Sequence, residues 1–510
     1  MTDWSAGYVT DIGYNLGYYT ELNPLRLPLA FLQAGIAFPA IATACELGFG
    51  QGVSINMHAA ATATSWYGTD FNASQVVHAR TLAANEALSC QLYDQPFAQF
   101  CQRTDLPEFD FIALHGVWTW ISDENRQVIV DFLQRKLRVG GVLYISYYTL
   151  PAWVTMLPMR DLLYLYEQRM TAPGLERSER IEQALAFTDR LLACHPAYSE
   201  FHPQVMSKWQ SIRQNKNIHY LSHEYFNREW QPMPFSRLAE WLSASRLHYV
   251  CSAHGPDNRQ QDHLTAEQLT FVNGIADLPL RETTLDLMVN RQFRRDYWVK
   301  GSRTLPQAEK NALLHRQRVV LTVVHAQALA MAAQSAGRPL PAMQPVLQLL
   351  SDHQSRSLAE LSERLREQGF SFEQVWEAVA KLLAMNTLQP AQGEAESKAA
   401  RLATDRLNGR LLDWVLVSDT FGFMASPVTG GGVAISKIER LFLAAYRLGQ
   451  HTPEGWAGFA DQSLSQQGQR LAGDHGEMLT SRAQHVQKLT AMAESFMEQK
   501  FPLFRALQVV

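Results

Sequence analysis

The chain carries little charge, and neither sign is in clear excess. Lys and Arg total 45 against 49 for Asp and Glu, a formal net charge of −4. No global positive field therefore exists to attract a phosphate backbone or an anionic membrane surface. The five cysteines are scattered and never form a C-x-x-C pair, which argues against a disulfide framework and a thiolate zinc site. We expect reduced thiols, no metal site and no nucleic-acid partner.

Long apolar runs are also missing. The longest stretch, residues 27–47, is interrupted by two prolines, a glycine and a glutamate, so it is not interpreted as a membrane span. Residues 1–22 are polar and lack a basic region followed by an apolar run, so no targeting segment is expected. The predicted location is the cytoplasm.

What is present is typical of a multidomain globular chain. The 510 residues, 46% hydrophobic and 18% charged, are enough for roughly three domains. Over residues 41–150, β-rich runs alternate with stretches whose apolar residues recur at helical spacing; the runs are IATACEL, SWYGTD, LSCQLY, FDFIALH and GVLYIS. This alternation predicts a doubly wound α/β domain with a parallel sheet.

The middle of the chain changes character. Residues 151–235 lose the strand signals and predict a helical insertion. Residues 236–300 predict a helix followed by two strands, at 246–252 and 284–293, that complete the same sheet, with a polar hairpin tip between them. A helical connector is expected over 301–344.

The carboxyl third predicts a winged-helix-like unit over 345–391 and, after a polar linker at 392–400, a helical domain over 401–510. Ser357 and Ser371 each begin a capping box that marks a helix start. The second of these helices carries two glutamates and one lysine, whereas a major-groove reader needs Arg, Lys, Asn or Gln facing the bases. We expect a packing or protein-contacting role rather than DNA binding.

The most informative segment is the loop ELGFGQG, at the first predicted strand-to-helix turn. Its glycines allow close approach of a ligand, while Glu46 would repel a phosphate and pair with a cationic amino group. Asp70 ends the second predicted strand, where it can accept hydrogen bonds from ribose hydroxyls. A nucleoside-type cofactor with a positive charge is favoured. The alternative is that the glycines only mark a tight turn and Asp70 caps the next helix.

This loop and Asp70 resemble the S-adenosylmethionine site of class I methyltransferases. Six further motifs resemble the methyltransferases that carry a methyltransferase regulatory domain, whose characterised relatives include rickettsial outer-membrane-protein lysine methyltransferases. These motifs are GYYTELNP (17–24), LHGVWTWIS (114–122), YISYYTLPAW (144–153), YLSHEYF (220–226), NRQFR (290–294) and ASPVTGGGV (425–433).

The resemblance implies a Rossmann-like class I methyltransferase sheet with S-adenosylmethionine as cofactor. Residues 1–40 would form a segment that covers the cofactor. The cofactor-binding residues that it implies are Tyr14, Tyr18, Tyr19, Glu46, Gly48, Gly50, Gly52, Asp70, Phe71, Phe97, Ala98, His115 and Gly116.

The chemistry implied is in-line methyl transfer to a neutral nucleophile in a water-excluding site. A lysine acceptor must first lose its proton, and aromatic walls lower its pKa. The substrate-binding candidates are Trp118, Trp120 and Tyr147; the catalytic candidates are His115, Tyr147, His223, Glu224 and Tyr225. Core packing is the alternative role for these aromatic residues.

Three hypotheses remain open at this point. The leading one is a methyltransferase that acts on protein lysine side chains, because about 200 residues lie beyond the catalytic domain. The second keeps the cofactor but has a glycan or small metabolite as acceptor. The third is a catalytically idle interaction protein that binds the cofactor. The sequence does not predict an oligomeric state.

Overall fold

The structure is a computed structural model. It describes residues 8–9, 16–84, 88–172, 174–215, 217–335, 337, 340–416, 421–472 and 481–510.

A seven-stranded sheet forms the centre of residues 43–300. Its strands are β1 (Thr43–Leu47), β2 (Ser65–Asp70), β3 (Cys90–Asp94), β4 (Phe109–Leu114), β5 (Leu137–Tyr148), β6 (Leu247–Ser252) and β7 (Phe293–Lys300), in the order β3-β2-β1-β4-β5-β7-β6. The first five are mutually parallel, whereas β7 runs antiparallel to both β5 and β6. The expected doubly wound α/β sheet is therefore present, with an antiparallel edge.

Helices cover both faces of this sheet. They are α1 (Leu27–Ala34), α2 (Val53–Ala61), α3 (Ala73–Ala83), α4 (Phe97–Phe100) and α5 (Asp123–Lys136). Every residue of β4 is buried, and successive side chains enter different cores: Phe111 packs on one face and Ile112 on the other. Burial on both faces explains why these strands are nearly continuous apolar runs.

The helical insertion lies between β5 and the last two strands. It contains α6 (Leu157–Met170), α7 (Arg177–Ala193), α8 (Ala197–Phe201), α9 (Gln204–Gln214) and α10 (Ile218–Tyr225), and α11 (Phe235–Ser243) leads into β6. The chain thus leaves the sheet after β5 and returns to complete it, as predicted.

The strand predicted at 284–293 is wrong. Residues 284–288 belong to α13 (Leu278–Met288), and only Phe293 at the far end lies in a strand. The start of α13 is fixed by Asp277, which accepts the Leu280 N–H at 2.9 Å, and by Pro279 in the first turn. The polar hairpin tip is also wrong, because α12 (Ala266–Asn273) precedes α13. The helix start at Asp277 and Pro279 therefore continues into the stretch where the sequence interpretation placed a strand.

The next unit holds a three-stranded sheet in the order β10-β8-β9. Its elements are α14 (Gln307–Arg316), β8 (Arg318–Leu321), α15 (His325–Ala333), α16 (Met343–Leu349), β9 (Arg356–Ser357), α17 (Leu358–Arg366), α18 (Phe372–Ala384) and β10 (Leu388–Ala391). Both predicted capping boxes form. The central strand β8 lies in the stretch predicted as a helical connector, and the winged-helix interpretation stays a prediction.

The C-terminal region packs on helix α2. It contains α19 (Glu394–Val415), β11 (Phe423–Ser426), β12 (Gly431–Ala434), α20 (Lys437–Arg447), α21 (Pro453–Gln466), α22 (Arg482–Ser495) and α23 (Phe501–Ala506). The predicted polar linker is mostly the first turns of α19. One apolar core joins Val53 and Met57 of α2 to Leu407 and Met424 of this region. Across the described ranges, no helix is both long enough and apolar enough to span a bilayer.

Candidate functional site

The glycine loop between β1 and α2 depends on glycine at three positions. Gly48, Gly50 and Gly52 have φ values of +76°, +58° and +73°, a region that other residues rarely adopt. A Cβ on Gly48 would lie 2.6 Å from Val117 Cγ2, and one on Gly52 would lie 2.3 Å from Ala79 Cβ. Among the described residues, a Cβ on Gly50 would instead meet nothing nearer than the Gln75 side-chain oxygen at 3.9 Å. The loop is thus packed on two sides and open at Gly50.

Asp70, at the end of β2, anchors this loop. Its Oδ2 accepts the Gly50 N–H at 2.9 Å, and its Oδ1 accepts the Asn72 N–H at 2.9 Å. Burial raises the pKa of Asp70 to about 6, although these backbone N–H groups act in the opposite direction. The Phe71 N–H acts on the same group, so three backbone donors face a carboxylate with about four lone pairs, which leaves room for a further donor.

A cavity of about 250 Å³ opens at the carboxyl ends of these strands, where ligands of open α/β sheets bind. The predicted site residues that line it are Tyr19, Glu46, Gly48, Gly50, Gly52, Asp70, Phe71, Phe97, His115, Gly116, Trp120 and Glu224. The lining residues that the sequence interpretation did not name include Tyr8, Gly17, Gln51, Ser54, Gln75, Val117, Tyr148 and Phe293.

Glu46 contributes a buried carboxyl group to the lining of the cavity. Its side chain is buried, and Oε2 has no hydrogen-bond partner among the described residues. Burial raises the pKa of Glu46 to about 8, and the charge of Asp70 adds to the effect. A buried carboxylate without a partner is costly, so this position favours a ligand that supplies a positive charge and donors.

His115 lines the cavity together with the glycine loop. Its Nδ1 is hydrogen-bonded to the Tyr144 hydroxyl at 2.7 Å, and its ring stacks on Tyr19 with 3.7 Å between centroids. Burial lowers the pKa of His115 to about 4 against an opposing effect of Glu21. The imidazole is therefore neutral at physiological pH. The next residue, Gly116, donates its N–H to Ser146 Oγ at 2.8 Å.

Glu224 places a second buried carboxyl group in the cavity, among aromatic rings. It lies on α10, and its Oε2 accepts the Tyr148 hydroxyl at 3.0 Å. Its Oε1 is buried and finds no partner in the part of the chain that the structure describes. Burial raises the pKa of Glu224 to about 7, with the Tyr148 hydrogen bond opposing that shift. Trp120 and Phe293 pack edge-to-face against the Tyr148 ring, at 5.8 and 5.2 Å between centroids.

Several predicted residues do not reach the cavity. Trp118 is fully buried and its indole N–H donates to Met233 Sδ at 3.3 Å. The hydroxyl of Tyr147 donates to Asp296 at 3.2 Å, inside the core on the opposite face of β5 from Tyr148. Strand alternation explains this difference, because neighbouring residues point to opposite faces. Neither side chain contributes to the cavity wall.

The remaining predicted residues outside the cavity are Tyr225 and His223 on α10, Tyr18 in the amino-terminal segment and Ala98 on α4. Tyr225 is buried in the core of the helical insertion, and His223 packs its ring against Tyr8 at 5.4 Å. The Tyr18 hydroxyl is hydrogen-bonded to a histidine of α2, and Ala98 is exposed on α4. Tyr14 lies outside the described residues.

Some of the lining residues that were not predicted lie within the motifs quoted above, and others do not. Tyr148 and Phe293 lie within YISYYTLPAW and NRQFR, but only the strand register shows which side chain of each motif faces the cavity. Gln75, on α3, had no sequence signal, since it is positioned by the packing of two helices.

The comparisons with known proteins agree with this architecture. A family model described as a predicted methyltransferase regulatory domain matches residues 217–300. The chain is 33% identical over 518 residues to the protein sll1526 of Synechocystis sp., with 99% of each chain covered. It is also 26% identical over 294 residues to RP789 of Rickettsia prowazekii, which covers 56% of this chain and 51% of that one.

A solved structure shares the fold over nearly the whole length. PKMT2 from Rickettsia typhi, in complex with AdoHcy, superposes with a TM-score of 0.69 at 15% identity, covering 98% of this chain and 100% of that chain. The fold likeness, the family model and the full-length relative lead to one assignment. The chain belongs to the family of sll1526, as a class I S-adenosylmethionine-dependent methyltransferase that carries a methyltransferase regulatory domain.

Proposed function

We propose that this protein transfers methyl groups from S-adenosylmethionine to lysine side chains of a protein substrate. The observation that carries the proposal is one cavity lined by both Glu46 and Glu224, each a buried carboxyl group with an oxygen that has no partner among the described residues. One carboxylate suits the cationic amino group of the cofactor, and the other suits a cationic amine acceptor.

The residues around the glycine loop fit the cofactor. Glu46 would accept from its amino group, Asp70 would accept from ribose hydroxyls, and the open space at Gly50 admits close contact with the backbone. Phe71 and Phe97 line the same cavity and would flank the adenine. When bound, S-adenosylmethionine supplies a methyl group activated by its sulfonium. The AdoHcy in the PKMT2 structure, the demethylated form of that cofactor, supports this use of the fold.

Glu224 would act on the acceptor. Its pKa, raised to about 7, lies near the operating pH, which is the condition for an efficient general base. Glu224 would first attract the lysine ammonium and then hold its proton, leaving a neutral amine. The rings of Trp120, Tyr148 and Phe293 would exclude water and help to lower the pKa of that amine.

The test begins with binding and continues with transfer. S-adenosylmethionine should bind the purified protein in calorimetry, and a methyl-labelled cofactor should then label a lysine-rich protein. The same protein with its lysines acetylated is the matched acceptor control, and it should remain unlabelled. Equal labelling of both forms would refute the lysine assignment.

Glu224→Gln tests the assigned base. The variant should bind the cofactor with unchanged affinity and lose about 10²-fold or more in transfer rate at pH 7, the usual contribution of a general base. A glutamine that transfers as fast as the wild type would remove Glu224 from the mechanism. Labelled small products in place of labelled protein would point to a metabolite acceptor.

A further inference from the structure

A hairpin of the C-terminal region packs against residues 16–23, which we call the strap. The strap borders one side of the cavity, where Gly17 and Tyr19 form part of the wall and Tyr19 stacks on His115. Tyr18, between them, contacts the hairpin instead: its ring lies 5.1 Å from that of Phe423 on β11. Adjacent residues of the strap thus contact the cavity and the C-terminal region.

Three consecutive glycines of the hairpin permit this contact. A Cβ on Gly431 would lie 2.2 Å from the hydroxyl oxygen of Tyr18. A Cβ on Gly432 would lie 2.9 Å from two carbons of the same ring, and one on Gly430 would lie 2.4 Å from Leu25 Cδ1. A side chain at Gly431 or Gly432 would push the strap or the hairpin away, and one at Gly430 would displace Leu25, two residues beyond the strap. The close approach to the strap therefore requires glycine at positions 431 and 432.

Buried hydrogen bonds fasten the strap on both sides. Asn23 Nδ2 donates to the carbonyl of Thr429 in the hairpin turn at 2.9 Å. The Tyr18 hydroxyl is hydrogen-bonded to His58 Nε2 on α2 at 3.1 Å, and the Tyr19 N–H donates to Ser54 Oγ at 2.9 Å. The strap, the hairpin and the helix that follows the glycine loop form one packed unit.

We propose that the GGG hairpin is a positioning element that holds the strap against the cavity, so that the C-terminal region sets the affinity for the cofactor. The proposal rests on the cofactor assignment of the proposed function. Ordering each backbone residue at the moment of binding opposes association, and a strap already fixed by its contacts avoids that loss. Glycines about 380 residues from the glycine loop would thus act on the same ligand.

A double-mutant cycle between Gly431 and Tyr18 tests the contact. Gly431→Ala should raise the Kd for S-adenosylhomocysteine about tenfold or more, because the new methyl group occupies the position of the Tyr18 hydroxyl. Tyr18→Phe alone should change the Kd by about threefold or less, since only one hydroxyl is lost. The double variant should recover most of the affinity lost in Gly431→Ala, because loss of the hydroxyl removes the 2.2 Å contact and leaves the one at 2.9 Å to Asn23 Nδ2.

Amide hydrogen exchange supplies a readout other than activity. In Gly431→Ala the amides of Tyr19, Leu22 and Asn23, which all bond within the strap or to α2, should exchange faster, while those of β4 stay protected. Gly458→Ala is the control, since a Cβ there meets nothing within 4 Å and its φ is not in the left-handed region. If Gly431→Ala does not fold, Gly432→Ala provides a milder clash with the same ring.

The outcomes separate this inference from the proposed function. An unchanged Kd in Gly431→Ala alongside faster exchange of the strap would overturn the inference, as would equal loss of affinity in the single and double variants. Wild-type protein that binds no S-adenosylhomocysteine at all would instead count against the proposed function. Coupling between the two substitutions, with the control unaffected, would establish the positioning role.

Discussion

Glu46→Gln is the sharpest test of the cofactor assignment because it changes the proton balance of binding. With a pKa of about 8, Glu46 is about 90% protonated at pH 7 in the free protein. Pairing with the cofactor ammonium requires the ionised form. Binding near neutral pH should therefore release close to one proton, and the affinity of the wild type should rise with pH up to about 8.

The change in binding free energy caused by Glu46→Gln is the loss of an ion pair, offset by the cost of ionising Glu46 that the variant avoids. A hydrogen-bonded ion pair in a buried site contributes about 1.5–3 kcal/mol. Ionising Glu46 costs about 1.4 kcal/mol at pH 7 and about 2.7 kcal/mol at pH 6, but under about 0.5 kcal/mol at pH 8. Replacement by glutamine should thus weaken binding about tenfold or more at pH 8, whereas the two proteins should bind almost equally at pH 6.

The measurement is calorimetric titration with S-adenosylmethionine at pH 7 in two buffers of different ionisation enthalpy. The wild type should release about 0.9 protons per cofactor bound and the Gln variant nearly none. Glu224→Gln is the matched control, since it removes a different buried carboxyl group of the cavity and should leave the proton release intact. No proton release in the wild type, or an affinity that does not change from pH 6 to 8, would refute the reasoning.

Glu46→Gln should weaken cofactor binding but stabilise the free protein at high pH. The folded state holds the Glu46 proton more tightly than the unfolded chain, so the native state loses stability as pH rises from about 4.5 to about 8. The free Gln variant should therefore melt at a higher temperature than the wild type at pH 9 and at a similar temperature at pH 4. Thermal unfolding followed by circular dichroism checks the sign.

Three further substitutions test individual contacts. Asp70→Asn should keep an acceptor for the loop N–H but lose the charge, and should raise the cofactor Kd about tenfold in calorimetry without unfolding the protein. Gly52→Val should cost about 3 kcal/mol or more in urea unfolding, because its Cβ would meet that of Ala79 at 2.3 Å where φ is also +73°. Tyr148→Phe removes the hydrogen bond that lowers the pKa of Glu224, so the acid limb of the pH–rate profile should move about half a unit or more to higher pH.

The glycine-loop part of the cavity could be predicted from the sequence because it is local. Glu46, Gly48, Gly50 and Gly52 lie within seven residues, and a strand-to-helix turn brings their backbones to one place. Asp70 follows at the end of the adjacent parallel strand, which must finish at the same edge of the sheet. Spacing and strand order were sufficient for these positions.

The part of the cavity around Glu224 and Tyr148 could not be resolved to single residues in the same way. Tyr147 and Tyr148 are equally aromatic, and β5 is buried on both faces, so no alternation of polar and apolar residues indicates which ring faces the cavity. The strand register decides it. The sequence interpretation put Phe293 at the end of a strand over 284–293, whereas Phe293 is the first residue of β7. Glu224 lies 76 residues from its partner Tyr148, and the chain pattern alone gave no reason to pair them.

The segment matched by the regulatory-domain model is part of the cavity itself. Residues 217–300 contain both Glu224 and Phe293, which line the cavity together with the glycine loop, and they supply the last two strands of the sheet. A segment that only covered the catalytic domain from outside would place no side chain against the ligand. Removing residues 217–300 would therefore be expected to take away part of the cavity and of the sheet, and so to abolish activity rather than to deregulate it.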